Sequence, residues 1–179
     1  MPASGRTHWG WHQLADTSAR RLVATAGIRP GDLVLDIGAG TGALTAPLVD
    51  AGARVIAFEL HPGRAQQLRE RFCRPSVTVV QCDAADLRLP RRPFRVVANP
   101  PFGITTAIIR RLTHRASRLV TADLVVPRHV AARWANGRGP GVNGQGSLFA
   151  ATFVTSLPRS AFRPRPPGES AVLRLVRRA

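Results

Sequence analysis

The segment Leu33-Val34-Leu35-Asp36-Ile37, followed at once by Gly38-Ala39-Gly40-Thr41-Gly42, constrains this chain more than any other. Its apolar run suits a short strand buried in a parallel sheet. The glycines behind it permit positive φ and let a ligand lie against bare backbone. Residues 43–49 can then form a helix, and strand, glycine loop, helix is a nucleotide-type binding unit with its ligand beyond the strand's C-terminal end. The alternation continues, with strands predicted at 54–59, 77–81, 94–98 and 119–126 and helices at 62–71, 105–114 and 127–136. A further helix is predicted at 16–26. Such a series gives a Rossmann-like α/β fold, a mostly parallel seven-stranded sheet with helices on both faces. Strands expected at 147–157 and 170–176 have no helix-length segment between them, so they form an antiparallel hairpin at the sheet's edge. The glycine-rich stretch 137–146 reads as a flexible loop, residues 1–12 as a flexible N-terminal segment, and residues 13–179 as one domain.

The chain has 179 residues and is 44% hydrophobic, enough for one domain with a substantial core. No apolar run approaches the ~18 to 20 residues of a membrane span, and the N-terminus lacks the apolar region of a signal peptide. A soluble cytoplasmic protein is expected, without a membrane partner. Cys73 and Cys82 stand at no metal-ligand spacing and read as two packed thiols, and no metal site is expected. Charge says more. Twenty-six basic residues, all of them Arg, against ten acidic ones give a formal net charge of +16. Arginine binds phosphate through a rigid fork and stacks on bases, so a nucleic acid is the expected partner. The absence of Lys and Tyr also fits a GC-rich coding sequence, which leaves the net charge as the firmer part of that reading.

The glycine loop alone does not name its ligand, because Gly38-Ala39-Gly40-Thr41-Gly42-Ala43 also satisfies the dinucleotide pattern. Three acids at successive strand ends narrow the choice. Asp36 can order the loop or, through water, attract a positively charged amino acid moiety. Glu59 can take both hydroxyls of a ribose, and Asp83 can accept from an adenine amino group. An amino acid end, a ribose and an adenine without a pyrophosphate describe S-adenosylmethionine. A fourth strand end carries Asn99-Pro100-Pro101-Phe102. There the Asn99 carboxamide and the Pro100 carbonyl offer two acceptors, and Phe102 offers a flat apolar face, a set suited to a planar substrate bearing an NH2 group.

These residues resemble those of the ribosomal RNA adenine-N6 methyltransferases. That family comprises the Erm enzymes, which modify 23S rRNA and confer macrolide, lincosamide and streptogramin B resistance, and KsgA-type relatives acting on small-subunit rRNA. Residues 35–45 are similar to the family's cofactor loop, and Asn99 to Phe102 to its catalytic motif in the Pro-Phe form. Phe162-Arg163-Pro164-Arg165-Pro166-Pro167 with Ser170-Ala171-Val172-Leu173-Arg174-Leu175 is similar to its late FxPxP…SAVxRL segment. The resemblance spans roughly residues 10–177. It implies a class I methyltransferase catalytic domain that transfers a methyl group from S-adenosylmethionine to N6 of an adenine in 23S rRNA or a ribosomal assembly intermediate. A monomer is implied. Asn99, Pro100 and Phe102 would be catalytic. Gly38, Gly40, Gly42, Asp36, Glu59, Leu60, Asp83, Ala84 and Asn99 would face the cofactor, joined by His12 and Leu14. Phe102, Phe162, Arg163 and Arg165 would hold the substrate, with Phe162 covering the second face of the base.

Two departures accompany the resemblance. Trp11-His12-Gln13-Leu14 stands where the family carries Gln-Asn/His-Phe-Leu, which puts cofactor contacts there in question. The family also continues into a small helical domain, so the stretch ending at Ala179 is expected to hold RNA through the catalytic domain itself. Six Arg against one Glu between residues 158 and 179 supply local positive charge. Other readings stay open: a methyltransferase acting on DNA adenine or a protein side chain, or a non-catalytic RNA-binding factor of the same fold.

Overall fold

The computed structural model describes residues 12–139, 142–144 and 146–179. In chain order the elements are β1 (Gln13–Leu14), α1 (Asp16–Thr25), β2 (Leu33–Ile37), α2 (Thr45–Asp50), β3 (Arg54–Glu59), α3 (Pro62–Arg71) and β4 (Val77–Gln81). They are followed by β5 (Phe94–Ala98), α4 (Thr105–Leu112), β6 (Leu119–Pro127), α5 (Arg128–Ala135), β7 (Phe149–Leu157), β8 (Phe162–Arg163) and β9 (Ser170–Arg177). The main sheet has seven strands in the order β4-β3-β2-β5-β6-β9-β7. β2 to β6 run parallel, while β9 pairs antiparallel with both β6 and β7. The expected α/β fold with its antiparallel edge pair is therefore the fold observed. No helix among the described residues is long and apolar enough to cross a membrane.

Alternation of side chains across each strand divides the core into two layers. Leu35, Val96, Leu124 and Leu173 point to one face, where Ile108, Ile109 and Leu112 of α4 and Trp134 of α5 cover them. Val34, Val97, Val125 and Val172 point to the other, beneath Leu22 of α1, Leu48 of α2 and Leu68 of α3. β2 is buried over all five residues, which is why its sequence is a continuous apolar run. Chain order reverses between β2 and β5, and ligands of open α/β sheets bind at such a switch point.

Two expectations are corrected. The stretch after α5 is pinned at Asn143, whose amide donates to the carbonyls of Trp134, Ala135 and Ala151 and accepts from the Ala151 N–H at 2.8 Å. Val142 beside it is buried. Cys73 is exposed and Cys82 half-buried, so the thiols are not both packed. Residues 1–11 of the expected flexible segment lie outside the described residues, whereas His12 is fixed by contacts given below.

β6 and β9 are joined by more than their ladder. Asp123, 1% exposed, accepts from Arg174 Nε and Nη2 at 2.8 Å, and the same Nη2 donates to the Thr25 carbonyl at the end of α1. Removing the cation alone leaves a buried acid without its partner, the costly way to break such a pair. Arg174→Met should therefore lose roughly 3 kcal/mol in urea denaturation, and the double variant Asp123→Leu/Arg174→Met should lose clearly less.

Candidate functional site

β2 and β5 are paired neighbours in the sheet, and the loop leaving β2 can lie against the Asn99 motif because residue 38 has no side chain. Gly38 has φ +77, and a Cβ there would lie 3.2 Å from Pro101 Cδ and 3.5 Å from the Asn99 carbonyl oxygen. The glycine loop and the Asn99 motif thereby become two walls of one cleft. His12, Glu59, Leu60, Asp83 and Ala84 line it together with Gly38, Asn99, Pro100 and Phe102. Most of the residues expected to face a cofactor or an acceptor thus stand around one opening. Asp36 and Leu14 border a smaller cavity of about 20 Å³ that shares Gly38 and Asn99 with the main cleft.

Each acid is differently placed. Glu59 is 3% exposed, and its Oε2 accepts from the Gly40 N–H at 2.8 Å while its Oε1 accepts from the His61 N–H at 2.9 Å and from Arg64. It therefore orders the glycine loop as well as facing the cleft. Asp83 is exposed; its Oδ1 accepts from the Ala85 N–H at 2.9 Å, and the second oxygen remains for a ligand. Asp36 is buried, accepting from the Thr45 hydroxyl at 2.7 Å through Oδ2 and finding no partner for Oδ1. Burial pushes its carboxyl up to about 7, with Thr45 opposing and the charge of Glu59 reinforcing the shift. Burial also raises the thiol of Cys82, which lines the cleft as a neutral group.

Asn99 is oriented by the backbone of the N-terminal strip. Its Nδ2 donates to the His12 carbonyl, which leaves its side-chain oxygen as the acceptor for another group. The His12 ring lies 6.0 Å from Phe102, and its Nδ1 is 3.0 Å from the Pro164 carbonyl. Gln13, which the sequence reading left in question, accepts from the Thr41 hydroxyl at 2.8 Å and so braces the glycine loop. These contacts exist because β1 pairs antiparallel with β8, Gln13 opposite Arg163 and Leu14 opposite Phe162.

That pairing corrects the reading of Phe162. It is fully buried, packed with Leu14 and Ala161 beneath the sheet, and cannot cover a base. Gly42 is likewise structural. With φ +94 and a would-be Cβ 2.5 Å from the Phe72 ring, it lets α3 pack on the loop and lines neither cavity. Arg163 and Arg165 are exposed on either side of Pro164. Arg64 and Ile104 line the cleft and escaped the sequence reading. The nearest signal for Arg64 was its place in the first turn of the helix that follows Glu59. A second groove, about 670 Å³, meets the first at Phe102 and continues along Pro127, His129, Phe153 and Pro167. Phe102 therefore stands between two openings.

Residues 3–179 match the family described as ribosomal RNA adenine dimethylase. The chain belongs to that family. It is 33% identical to ribosomal RNA small subunit methyltransferase A of Leifsonia xyli subsp. xyli, an alignment covering 90% of this chain and 62% of that protein. It is 34% identical to an rRNA adenine N-6-methyltransferase of Saccharopolyspora erythraea, over 97% of this chain and 47% of that protein. The chain thus spans about half to three fifths of these relatives' length. Among solved structures, the 23S rRNA methyltransferase ErmE superposes with a TM-score of 0.80 at 35% identity, covering 93% of this chain and 70% of that one. The family's cofactor is S-adenosylmethionine, and the residues present fit it: two carboxylates, Glu59 and Asp83, line one cleft, and beside the glycine loop lies a buried Asp36 oxygen with no partner among the described residues.

Asp36 yields a sign that can be checked. Its folded pKa lies above the unfolded one, so between about pH 4 and pH 7 the folded protein keeps a proton that the unfolded chain releases. Stability should fall as pH rises through that window and level off above it. Asp36→Asn should remove this part of the decline, seen as a smaller drop in Tm between pH 4.5 and pH 8 than in the unmodified protein.

Proposed function

We propose that the protein transfers a methyl group from S-adenosylmethionine to N6 of an adenine in 23S rRNA and confers resistance of the macrolide-lincosamide-streptogramin B type. One observation carries the transferase reading: the acceptor motif at Asn99 and the cofactor acids Glu59 and Asp83 line a single cleft. The likeness to ErmE favours the large-subunit target. The small subunit methyltransferase A relatives favour small-subunit rRNA instead, and this is the second reading.

The chemistry asked of these residues is modest. The N6 lone pair of adenine is delocalised into its ring, so the amine is a weak nucleophile. Hydrogen bonds from N6-H2 to the Asn99 side-chain oxygen and the Pro100 carbonyl favour a pyramidal nitrogen with its lone pair turned towards the methyl group. When bound, S-adenosylmethionine would supply an electrophilic methyl group, its sulfur keeping the electron pair of the broken C–S bond as the C–N bond forms, and the acidic N6 proton would pass to water. Orientation and electrostatic complementarity supply the rate, and no strong base is needed. The base must leave its stack to enter, and Phe102 offers it a new face, worth ~1 to 3 kcal/mol.

The basic surface suits RNA. Residues 87–118 hold eight Arg and no acid. Of these, Arg91, Arg111 and Arg118 border one groove beside the starts of β5 and β6, at the opposite end of the sheet from Asn99. These arginines therefore lie away from the mouth of the cleft. They suit a long polyanion that extends past the reacting base, with Arg163 and Arg165 nearer the opening.

Tritium transfer from labelled S-adenosylmethionine to 23S rRNA, small-subunit rRNA, DNA and protein tests the proposal. Label should appear in 23S rRNA as N6-methylated adenine, and a susceptible host expressing the chain should tolerate a macrolide. Label confined to small-subunit rRNA would establish the second reading, and label confined to DNA or protein would overturn both. Asn99→Ala should reduce transfer by about 100-fold or more while S-adenosylmethionine binding changes only a few-fold. RNA affinity should fall steeply and linearly on a log-log plot against salt, because arginine-phosphate contacts release counterions.

A further inference from the structure

The carboxylate best placed for a ribose is already paired with a cation. Arg64, in the first turn of α3, donates to Glu59 Oε1 through Nε at 3.0 Å and through Nη2 at 2.8 Å. The side chains are 19% and 3% exposed, and both line the main cleft. Glu59 Oε1 thus receives two donors from Arg64 and one from the His61 N–H, while Oε2 receives the Gly40 N–H.

We infer that Arg64 is a specificity-determining residue of the cofactor cleft: by neutralising Glu59 it sets how strongly the cleft prefers the cationic cofactor over its neutral product. This rests on the cofactor reading above. S-adenosylmethionine carries a sulfonium, an α-ammonium and a carboxylate, a net charge of +1. Loss of the methyl group turns the sulfonium into a thioether and leaves the product neutral. Both molecules carry the same ribose, so hydrogen bonds to Glu59 hold them equally. The field at the sulfur distinguishes them. A lone Glu59 carboxylate below the ribose would favour the sulfonium, whereas a Glu59-Arg64 pair presents little net charge there. Asp36 is buried on Thr45 and borders the adjoining cavity, and Asp83 lines the cleft whether or not Arg64 is present, so neither changes what Arg64 does to the charge of Glu59. The pairing consequently lowers the cleft's preference for the cationic cofactor over its neutral product.

Two effects of removing Arg64 separate cleanly. Relief of crowding at Oε1 changes the affinity for both nucleosides together. Loss of the positive charge changes their ratio. Isothermal titration of the full chain with S-adenosylmethionine and with S-adenosylhomocysteine, without RNA, reads both. Arg64→Leu should raise the ratio of product Kd to cofactor Kd by about 3- to 10-fold at low salt. Arg64→Gln, which keeps a donor for Glu59 without the charge, should raise it similarly, and the gain should shrink as salt is added. A ratio that stays at the unmodified value in both variants overturns the inference, as does an equal loss of affinity for both nucleosides, which would make Arg64 a mere support for Glu59. An unmodified protein that binds neither nucleoside overturns the cofactor reading and this inference with it. Unmodified binding with an unmoved ratio overturns this inference alone.

Discussion

The close approach of Gly38 to the backbone of Asn99 and Pro100 and to the ring of Pro101 is the contact on which the site depends. Chain order reverses between β2 and β5, so the loops leaving their C-terminal ends diverge to opposite faces of the sheet and open a crevice between them. How narrow that crevice is depends on what stands at residue 38. A side chain there would crowd the Pro101 ring and strain a backbone held at φ +77. With glycine, the wall formed by Glu59, Leu60 and Asp83 and the wall formed by Asn99 to Phe102 enclose one space. Methyl transfer between two bound molecules requires such proximity, because the gain comes from holding donor and acceptor in line.

A second constraint comes from the two strips that cross outside the main sheet. β1 and β8 are two residues each, too short to be stable alone, and they hold because Leu14 and Phe162 are buried together under the sheet. The pairing carries His12 to Asn99 and Gln13 to Thr41. A carbonyl can only accept, so the His12 oxygen must face the Asn99 amine, and the amide cannot turn over. The burial of Phe162 is thus spent on the orientation of Asn99. An aromatic that first looks like a base-stacking residue acts on the acceptor site from beneath.

The parallel strands were legible from sequence because strands buried on both faces leave an unbroken apolar run, as in Leu33 to Ile37 and Leu119 to Val126. The acids and the Asn99 motif were legible because each follows such a run directly. Local pattern fails where the deciding partner is remote. Nothing near Phe162 shows that it lies opposite Leu14, about 150 residues away in the chain. Nothing near Asn143 shows that its amide will satisfy four backbone groups and pin a stretch whose glycines suggest flexibility. Arg64 was hidden for a similar reason: among 26 basic residues, its distinction is the carboxylate it meets.

The distribution of acids gives the excess charge its meaning. Among the described residues, four of the ten acids pair with arginines: Asp32 with Arg95, Glu59 with Arg64, Asp123 with Arg174 and Glu169 with Arg128. Asp36 is buried and pushed towards neutrality. Half of the negative charge is therefore committed within the fold or its pairs, and little is left to offset the remaining arginines at the surface. A surface of one sign repels itself, and this self-repulsion costs stability that an anionic partner would return. RNA is such a partner, and its binding would relieve the repulsion without drawing on the paired acids. Glu59, held by Arg64 at the cleft, is one of the acids so committed. Arginine in excess around few acids thus leaves the carboxylates held in pairs and the uncompensated charge at the surface.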